Sequence, residues 1–392
     1  MDLFAKCYAP SLADEYREKG IYPYFRALET RQGPEVIMEG KRRIMLGSNN
    51  YLGLTSCPEV VEAGVRALHE FGTGCSGSRF LNGTLTMHLE LEAELARFLR
   101  KEAVMTFSTG FQSNLGIISA LVGRSDYMIL DRENHASIYD GTRLSFGKML
   151  RYRHNDMADL ERCLQQVPET AGALIITDGV FSMGGDIADL PSIVKLAKQY
   201  GARVMVDDAH GLGTIGEGGR GTASHDGLEK EVDVYMGTFS KSLASLGGYM
   251  AADARIVDYV RHNSRPFIFS ASIPPSSCAT ALAALRHLEC HPELPQRLSD
   301  LSDHFRTALK SRGLAIRESR TPIVPIFTYQ AERTMLVARD LYENGVYVNT
   351  VLPPAAPADG CMLRTSLMAT HTEALLDEAA DVIQKVLEVD HA

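Results

Sequence analysis

Val234-Tyr235-Met236-Gly237-Thr238-Phe239-Ser240-Lys241-Ser242-Leu243-Ala244-Ser245-Leu246-Gly247-Gly248 is the stretch that decides how this chain reads. Its first five residues spell a short strand. The strand runs into a lysine set among small hydroxyls and glycines. A lysine so placed can form a Schiff base with an aldehyde. Thr238 and Ser240 beside it suit a phosphate, and Gly247 and Gly248 let the backbone pass close to a bound group. The plain alternative is a surface lysine in a Ser/Gly loop.

Working outward, Val204-Met205-Val206-Asp207-Asp208-Ala209-His210 is an apolar strand ending in carboxylates and a histidine. Asp207 there could face a protonated pyridine nitrogen and keep the ring an electron sink. It could equally cap the next segment. His210 could reach a cofactor oxygen or the reacting carbon. His135, in Asn134-His135-Ala136-Ser137, could stack on a flat ring. Either histidine alone reads as structural.

Ser108-Thr109-Gly110-Phe111-Gln112 follows the strand Ala103–Phe107 and opens a helix. Free N–H groups and the positive end of a helix dipole make a phosphate cradle there. The alternative is a simple cap by Ser108 or Thr109. Taken together, the lysine, the strand-end aspartate and the phosphate-binding groups are what pyridoxal phosphate requires.

Gly211-Leu212-Gly213-Thr214-Ile215-Gly216 matches a dinucleotide fingerprint, but Glu217-Gly218-Gly219-Arg220-Gly221 follows it where a helix should begin. The missing helix counts against a nicotinamide oxidoreductase, which is kept as the competing class. Arg364, in Met362-Leu363-Arg364-Thr365-Ser366, could pair with a substrate carboxylate or with an ordinary acidic neighbour.

Strands and helices alternate through the middle of the chain. Strands are expected at Ala103–Phe107, Tyr127–Leu130, Ala173–Thr177, Arg203–Asp207, Val234–Thr238 and Gly248–Ala251. Helices are expected at Gln112–Leu121, Met157–Gln165 and Leu190–Tyr200 between them. Short apolar runs separated by helices predict an α/β fold with a largely parallel sheet covered on both faces. The tail adds strands near Ile323–Tyr329 and Met362–Ser366 and helices near Arg333–Glu343 and His371–Leu387, a smaller α+β domain. The expected division is an N-terminal segment 1–56, a large cofactor-binding domain 57–285 and a small domain 286–392.

The 392 residues are 45% hydrophobic and 23% charged, with a net charge of −9, an ordinary globular composition. No basic run points to nucleic acid. No apolar run spans a bilayer and the N-terminus lacks a signal-peptide layout, so a cytoplasmic enzyme with at most peripheral membrane contact is expected. The seven cysteines are scattered and contain no CxxC pair, which favours reduced thiols. Cys290-His291 has no second ligand pair at metal-site spacing, so it reads as a helix end and no metal is expected.

These segments together resemble the α-oxoamine synthases, pyridoxal-phosphate enzymes of fold type I, from about Tyr22 to Leu387. Ser48-Asn49-Asn50-Tyr51-Leu52-Gly53-Leu54, Asp207-Asp208-Ala209-His210 and Gly237-Thr238-Phe239-Ser240-Lys241 carry the likeness. Within the family the chain looks most like the bacterial serine palmitoyltransferase branch. That rests on the stretches from Gly72 to Thr84, Arg265 to Ser272 and Leu367 to Thr372.

The resemblance implies a role for each matching residue. Lys241 would hold the cofactor and act as base and acid. Asp207 would pair with the pyridine nitrogen. His135 would stack on the ring, with His210 and Ser182 near the phenolic oxygen. Gly110, Phe111, Thr238 and Ser240 would bind the phosphate, and Ser270 would complete that site from the other subunit of a homodimer. Asn49, Ser78 and Arg364 would handle the amino acid. The implied reaction is a decarboxylating condensation of L-serine with a long-chain acyl-CoA such as palmitoyl-CoA, giving 3-ketosphinganine. A sister synthase using alanine or glycine, like 8-amino-7-oxononanoate synthase or a secondary-metabolite relative, is the alternative.

Overall fold

The computed structural model describes residues 2–389. Its strands, in chain order, are β1 (Glu35–Met38), β2 (Lys41–Met45), β3 (Ala103–Phe107), β4 (Tyr127–Asp131), β5 (Lys148–Tyr152), β6 (Ala173–Asp178), β7 (Arg203–Asp207), β8 (Val234–Thr238), β9 (Gly248–Ala252), β10 (Ile323–Tyr329), β11 (Val346–Tyr347), β12 (Asn349–Val351) and β13 (Cys361–Ser366). Seven of them form the central sheet in the order β3-β9-β8-β7-β6-β4-β5. Neighbouring pairs are parallel except those made by β9, which runs against both β3 and β8.

The two-residue alternation of each strand splits its apolar side chains between two cores. Ile129, Ile175, Val204 and Val206 face one side. There Leu91, Leu95, Ile193 and Leu285 descend from the helices Thr86–Leu99, Leu190–Tyr200 and Pro275–Cys290. Met128, Leu130, Leu174, Ile176 and Met205 face the other, against Ile117, Ile118, Val257 and Val260 from Gly110–Leu121 and Ala254–Asn263. A sheet buried on both faces is the α/β arrangement expected from the sequence.

A third core joins the two ends of the chain. Ile44, Leu46 and Tyr51 pack with Leu298, Phe305, Ile323, Leu341, Leu363 and Ile383. Strand β2 pairs with β1 and, in parallel, with β11. The antiparallel β10-β13-β12 sheet lies in the same C-terminal part. His371 ties that part to the N-terminal strands: its Nδ1 accepts from the Met368 N–H at 2.8 Å and its Nε2 lies 3.2 Å from the Met45 carbonyl.

The loop from Gly72 to Thr84 is anchored by a buried ion pair. Arg79 donates to Glu92 at 2.6 Å and to the Thr106 hydroxyl at 2.7 Å, and both charged side chains are about 6% exposed. Removing one partner would leave the other charge buried, at a cost of about 3–5 kcal/mol.

Among the elements not legible from apolar runs, two adjoin the central sheet. Strand β5 is an edge strand of sequence Lys-Met-Leu-Arg-Tyr, exposed along most of its length. The helix Ala136–Leu144 carries a glycine at its centre, where a Cβ would stand 2.9 Å from the Asn114 carbonyl and from Ile118. Gly141 thus lets this helix press against Gly110–Leu121.

Candidate active site

The C-terminal ends of the parallel strands converge at one edge of the sheet, where open α/β sheets place their ligands. Strands β6 and β7 end side by side in Asp178 and Asp207, which are register partners. Asn114 Nδ2, from the helix Gly110–Leu121, donates to Asp207 Oδ2 at 2.7 Å. The Ala209 N–H donates to Asp207 Oδ1 at 3.1 Å. Asp178 is buried beside it and accepts from the His135 N–H at 3.4 Å. Burial, then the neighbouring Asp207 carboxylate, pushes Asp178 well above the usual carboxyl range.

Strand β8 delivers Lys241 three residues past its end. The turn is pinned by Phe239 N–H to the Gly247 carbonyl (3.0 Å), by the Thr238 hydroxyl to the same carbonyl (2.9 Å) and by the Ser242 hydroxyl to the Leu212 carbonyl (2.7 Å). Enclosure lowers the Lys241 amine to about 8, with Arg364 adding to the effect and Asp207 opposing it. Only the neutral amine attacks an aldehyde. The rate at which unloaded protein combines with pyridoxal phosphate should therefore rise with a midpoint near 8, against about 10.4 for a free lysine. Stopped-flow absorbance across pH 6.5–10 checks this. A rate still climbing steeply at pH 10 would show an ordinary lysine.

The helix Gly110–Leu121 opens at the same edge. Thr109 caps it, its hydroxyl accepting from the Gln112 N–H at 3.1 Å. The Gly110 and Phe111 N–H groups meet no acceptor among the described residues. A Cβ on Gly110 would stand 2.8 Å from Thr238, so only glycine lets the helix end come this near the strand. The Thr238 and Ser240 hydroxyls lie beside it, 2.9 Å apart.

These groups line a cavity of about 260 Å³ that also takes in His135, Asp178, Asp207, His210 and Lys241. Unpaired N–H groups and hydroxyls stand at one end, carboxylates lie below, and a lysine of lowered pKa completes the wall. The residues present fit pyridoxal phosphate.

A second cavity of about 420 Å³ shares His135, His210 and Lys241 with the first. It is further lined by Asn49, Ser182, Arg364 and Asn349, and by apolar Tyr24, Phe25, Met183, Val348 and Val351. Arg364 lies on β13 and is 4% exposed. Its guanidinium donates to the Ser182 carbonyl (2.5 Å), Asn49 Oδ1 (3.0 Å), the Ser366 hydroxyl (3.2 Å) and the Tyr51 hydroxyl (3.3 Å). Every acceptor is neutral, and no carboxylate pairs with it among the described residues. A buried cation without a counter-ion is costly, and an incoming carboxylate would relieve that.

His135 caps its own helix. Its Nδ1 accepts from the Ser137 N–H at 3.2 Å, and Asn114 Nδ2 donates to the Ser137 hydroxyl at 2.8 Å. Burial lowers the His135 pKa. Burial, with the Lys241, Arg364 and His135 charges, holds His210 well below the ordinary histidine range, so its ring is neutral.

Two candidates stand apart. Ser78 lines neither cavity; it is buried in the 72–84 loop with its hydroxyl unpaired. Ser270 lines neither cavity and is held by the Gln112 side chain. The Gly211–Gly216 run forms a turn leading to the 3-10 segment Glu217–Gly219 and lines neither of these cavities. Asp208 points away from Asp207 and accepts from the Thr222 N–H and hydroxyl.

Asp178, Asn114 and Tyr51 went unread in the sequence as site residues. For Asp178 a signal existed: it ends the apolar strand Ala173–Thr177 as Asp207 ends its own. Elsewhere, Cys57, Glu59 and His287 bring three metal-ligand types together. Glu59 in the first turn of one helix and His287 in the last turn of another lie 2.8 Å apart, and Cys57 Sγ is 3.9 Å from the same His287 nitrogen. Hydrogen bonding between helix ends accounts for the meeting of Glu59 and His287.

The comparisons with known proteins agree with this geometry. The chain is 51% identical to a serine palmitoyltransferase of Sphingobacterium spiritivorum, over 96% of this chain and 94% of that protein. It is 45% identical to an 8-amino-7-oxononanoate synthase of Geobacter sulfurreducens, over 95% and 96%. The solved structure of Sphingomonas wittichii serine palmitoyltransferase superposes with a TM-score of 0.94 at 38% identity, covering 98% of both chains. The sequence model of aminotransferase class I and II matches residues 41–383, and with the strand-end lysine, the paired aspartates and the helix-end cradle in place, the chain belongs to that family.

Proposed function

We propose that the chain condenses L-serine with a long-chain acyl-CoA, palmitoyl-CoA in the simplest case, giving 3-ketosphinganine, free CoA and carbon dioxide. The observation that carries this reading is the wall common to the two cavities. Lys241, His135 and His210 line both, so a base held in the cofactor site also faces the chamber that holds Arg364 and the apolar side chains. That chamber offers a cation for an amino-acid carboxylate and an apolar surface for an acyl chain. Full-length likeness to serine palmitoyltransferases supports the choice of serine and acyl-CoA.

The cofactor is pyridoxal phosphate. When bound, it supplies an electron sink for the pair left by the departing α-proton. The Gly110 and Phe111 N–H groups and the Thr238 and Ser240 hydroxyls would hold its phosphate. Asp207 would keep a proton on the pyridine nitrogen, and His135 would cover the ring. Arg364 and Asn49 would orient the serine carboxylate. Lys241 Nζ takes the serine α-proton. Cα then bonds to the thioester carbonyl carbon and CoA leaves as the thiolate. The carboxylate departs as carbon dioxide, and Lys241 returns a proton to Cα. Positioning of the carboxylate matters as much as the base, because the bond being broken must align with the sink.

A homodimer would complete the site. Ser270 would reach the partner's phosphate cradle, and the exposed apolar side chains Leu81 and Phe269, on the same loops as Ser78 and Ser270, support such a contact. We place the enzyme in the cytoplasm with at most peripheral membrane contact. No helix among the described residues is long and apolar enough to cross a membrane, and the seven cysteines form no disulfide.

Titrating the loaded enzyme with L-serine, glycine and L-alanine tests the reading. Serine should saturate the change in visible absorbance at the lowest concentration, and palmitoyl-CoA should then yield 3-ketosphinganine by mass spectrometry. Preference for alanine or glycine, without product from palmitoyl-CoA, would move the chain to a sister synthase.

A further inference from the structure

Tyr51, hydrogen-bonded to His210 and Arg364 in the cavity walls, is a fully buried side chain that the proposed reaction does not use. Its hydroxyl stands 2.6 Å from His210 Nδ1, 3.3 Å from Arg364 Nη2 and 3.4 Å from Asn49 Oδ1. Arginine only donates, so the Tyr51 oxygen accepts from Arg364. The single Tyr51 proton then has two possible destinations.

If it went to Asn49, the acceptor would be 3.4 Å away, and His210 would have to donate from Nδ1 across 2.6 Å. The buried Tyr51 proton would then have only a long acceptor that Arg364 already satisfies, whereas donation to His210 gives it a partner at 2.6 Å. The short contact is therefore Tyr51 O–H donating to a bare Nδ1. Asn49 Oδ1 is satisfied by Arg364 at 3.0 Å in any case. His210 is buried and faces Lys241 and Arg364, so its ring is neutral and carries one proton. That proton lies on Nε2.

We propose that Tyr51 is a positioning residue that fixes His210 in the Nε2–H tautomer, so that His210 presents a donor and not a lone pair to the cofactor site. The same hydroxyl joins His210 to the arginine that takes the substrate carboxylate, giving the continuous chain Arg364–Tyr51–His210. Without Tyr51 the ring could place its proton on either nitrogen. A bare Nε2 would then repel a phenolate oxygen instead of stabilising it. Donation to such an oxygen favours its deprotonated form. The consequence for the cofactor rests on the function proposed above; the tautomer itself does not.

The test has two parts. Nitrogen-15 NMR of unloaded, histidine-labelled protein should show His210 protonated at Nε2 and bare at Nδ1, and a proton on Nδ1 would overturn the proposal whatever the substrate proves to be. In the loaded enzyme, Tyr51→Phe keeps the buried ring and removes the hydroxyl. The pH midpoint of its visible absorbance change should rise by about one unit. The same substitution in a His210→Asn background should add little further shift. A Tyr51→Phe midpoint equal to wild type would show that Tyr51 merely packs, and a shift that persists undiminished without His210 would show that the hydroxyl acts by another route; either result overturns the proposal. Should Tyr51→Phe fail to fold, the NMR of the unsubstituted protein decides alone.

Discussion

Lys241→Ala should lower the condensation rate by about ten-thousand-fold or more, because one side chain serves as covalent anchor, base and acid. The lysine is held by a turn whose hydrogen bonds run through backbone and through Thr238 and Ser242, none of them through Lys241 Nζ. The fold should survive the change. The phosphate cradle does not use the lysine either, so the variant should still bind pyridoxal phosphate, by non-covalent contacts. Borohydride should then fix the cofactor to wild type and leave it dialysable from the variant. Thermal unfolding and bound-cofactor measurements alongside the turnover assay separate lost chemistry from lost structure. A folded, loaded variant that retains condensation at more than a hundredth of the wild-type rate would remove Lys241 from its proposed role.

The reach of the sequence can be judged at particular residues. Lys241, Asp207 and Gly110 were legible because each lies just past or at the end of an apolar run, and strand ends of a parallel sheet meet on one edge. The six central-sheet strands expected from apolar runs all occur, with ends shifted by at most one residue. What failed to show was whatever depends on a neighbour distant in sequence. Strand β5 has no apolar run because its outer edge is solvated. Asn114 sits in mid-helix and gains its place at Asp207 only through the way that helix crosses the sheet. Tyr51 lies within a quoted motif, yet its link to His210 spans 159 positions. Arg364 was ambiguous for the same reason: in sequence it could have paired with any acid, and its neutral surroundings appear only in three dimensions.

Asp207→Asn should slow exchange of the serine α-proton with solvent deuterium by about a thousand-fold while leaving the fold intact. The substitution keeps the volume and keeps an acceptor for the Ala209 N–H. It would set two amide groups against each other at Asn114, but Asn114 Oδ1 is buried and unpaired, so turning that amide restores the contact. What is lost is the negative charge that would hold a proton on the pyridine nitrogen. Asp178 complicates the outcome in a calculable direction. Its carboxyl is pushed up by burial and then by Asp207, so removing the Asp207 charge lowers it and lets Asp178 ionise in part. The residual exchange in Asp207→Asn should therefore increase with pH as Asp178 loses its proton. It should fall further, and lose that pH dependence, in the Asp207→Asn, Asp178→Asn double variant. Serine saturation should change little in either, because Arg364 lies on β13 in the other cavity. An exchange rate equal to wild type in Asp207→Asn would mean that the ring nitrogen needs no anionic partner. The paired strand ends would then serve the fold and not the chemistry.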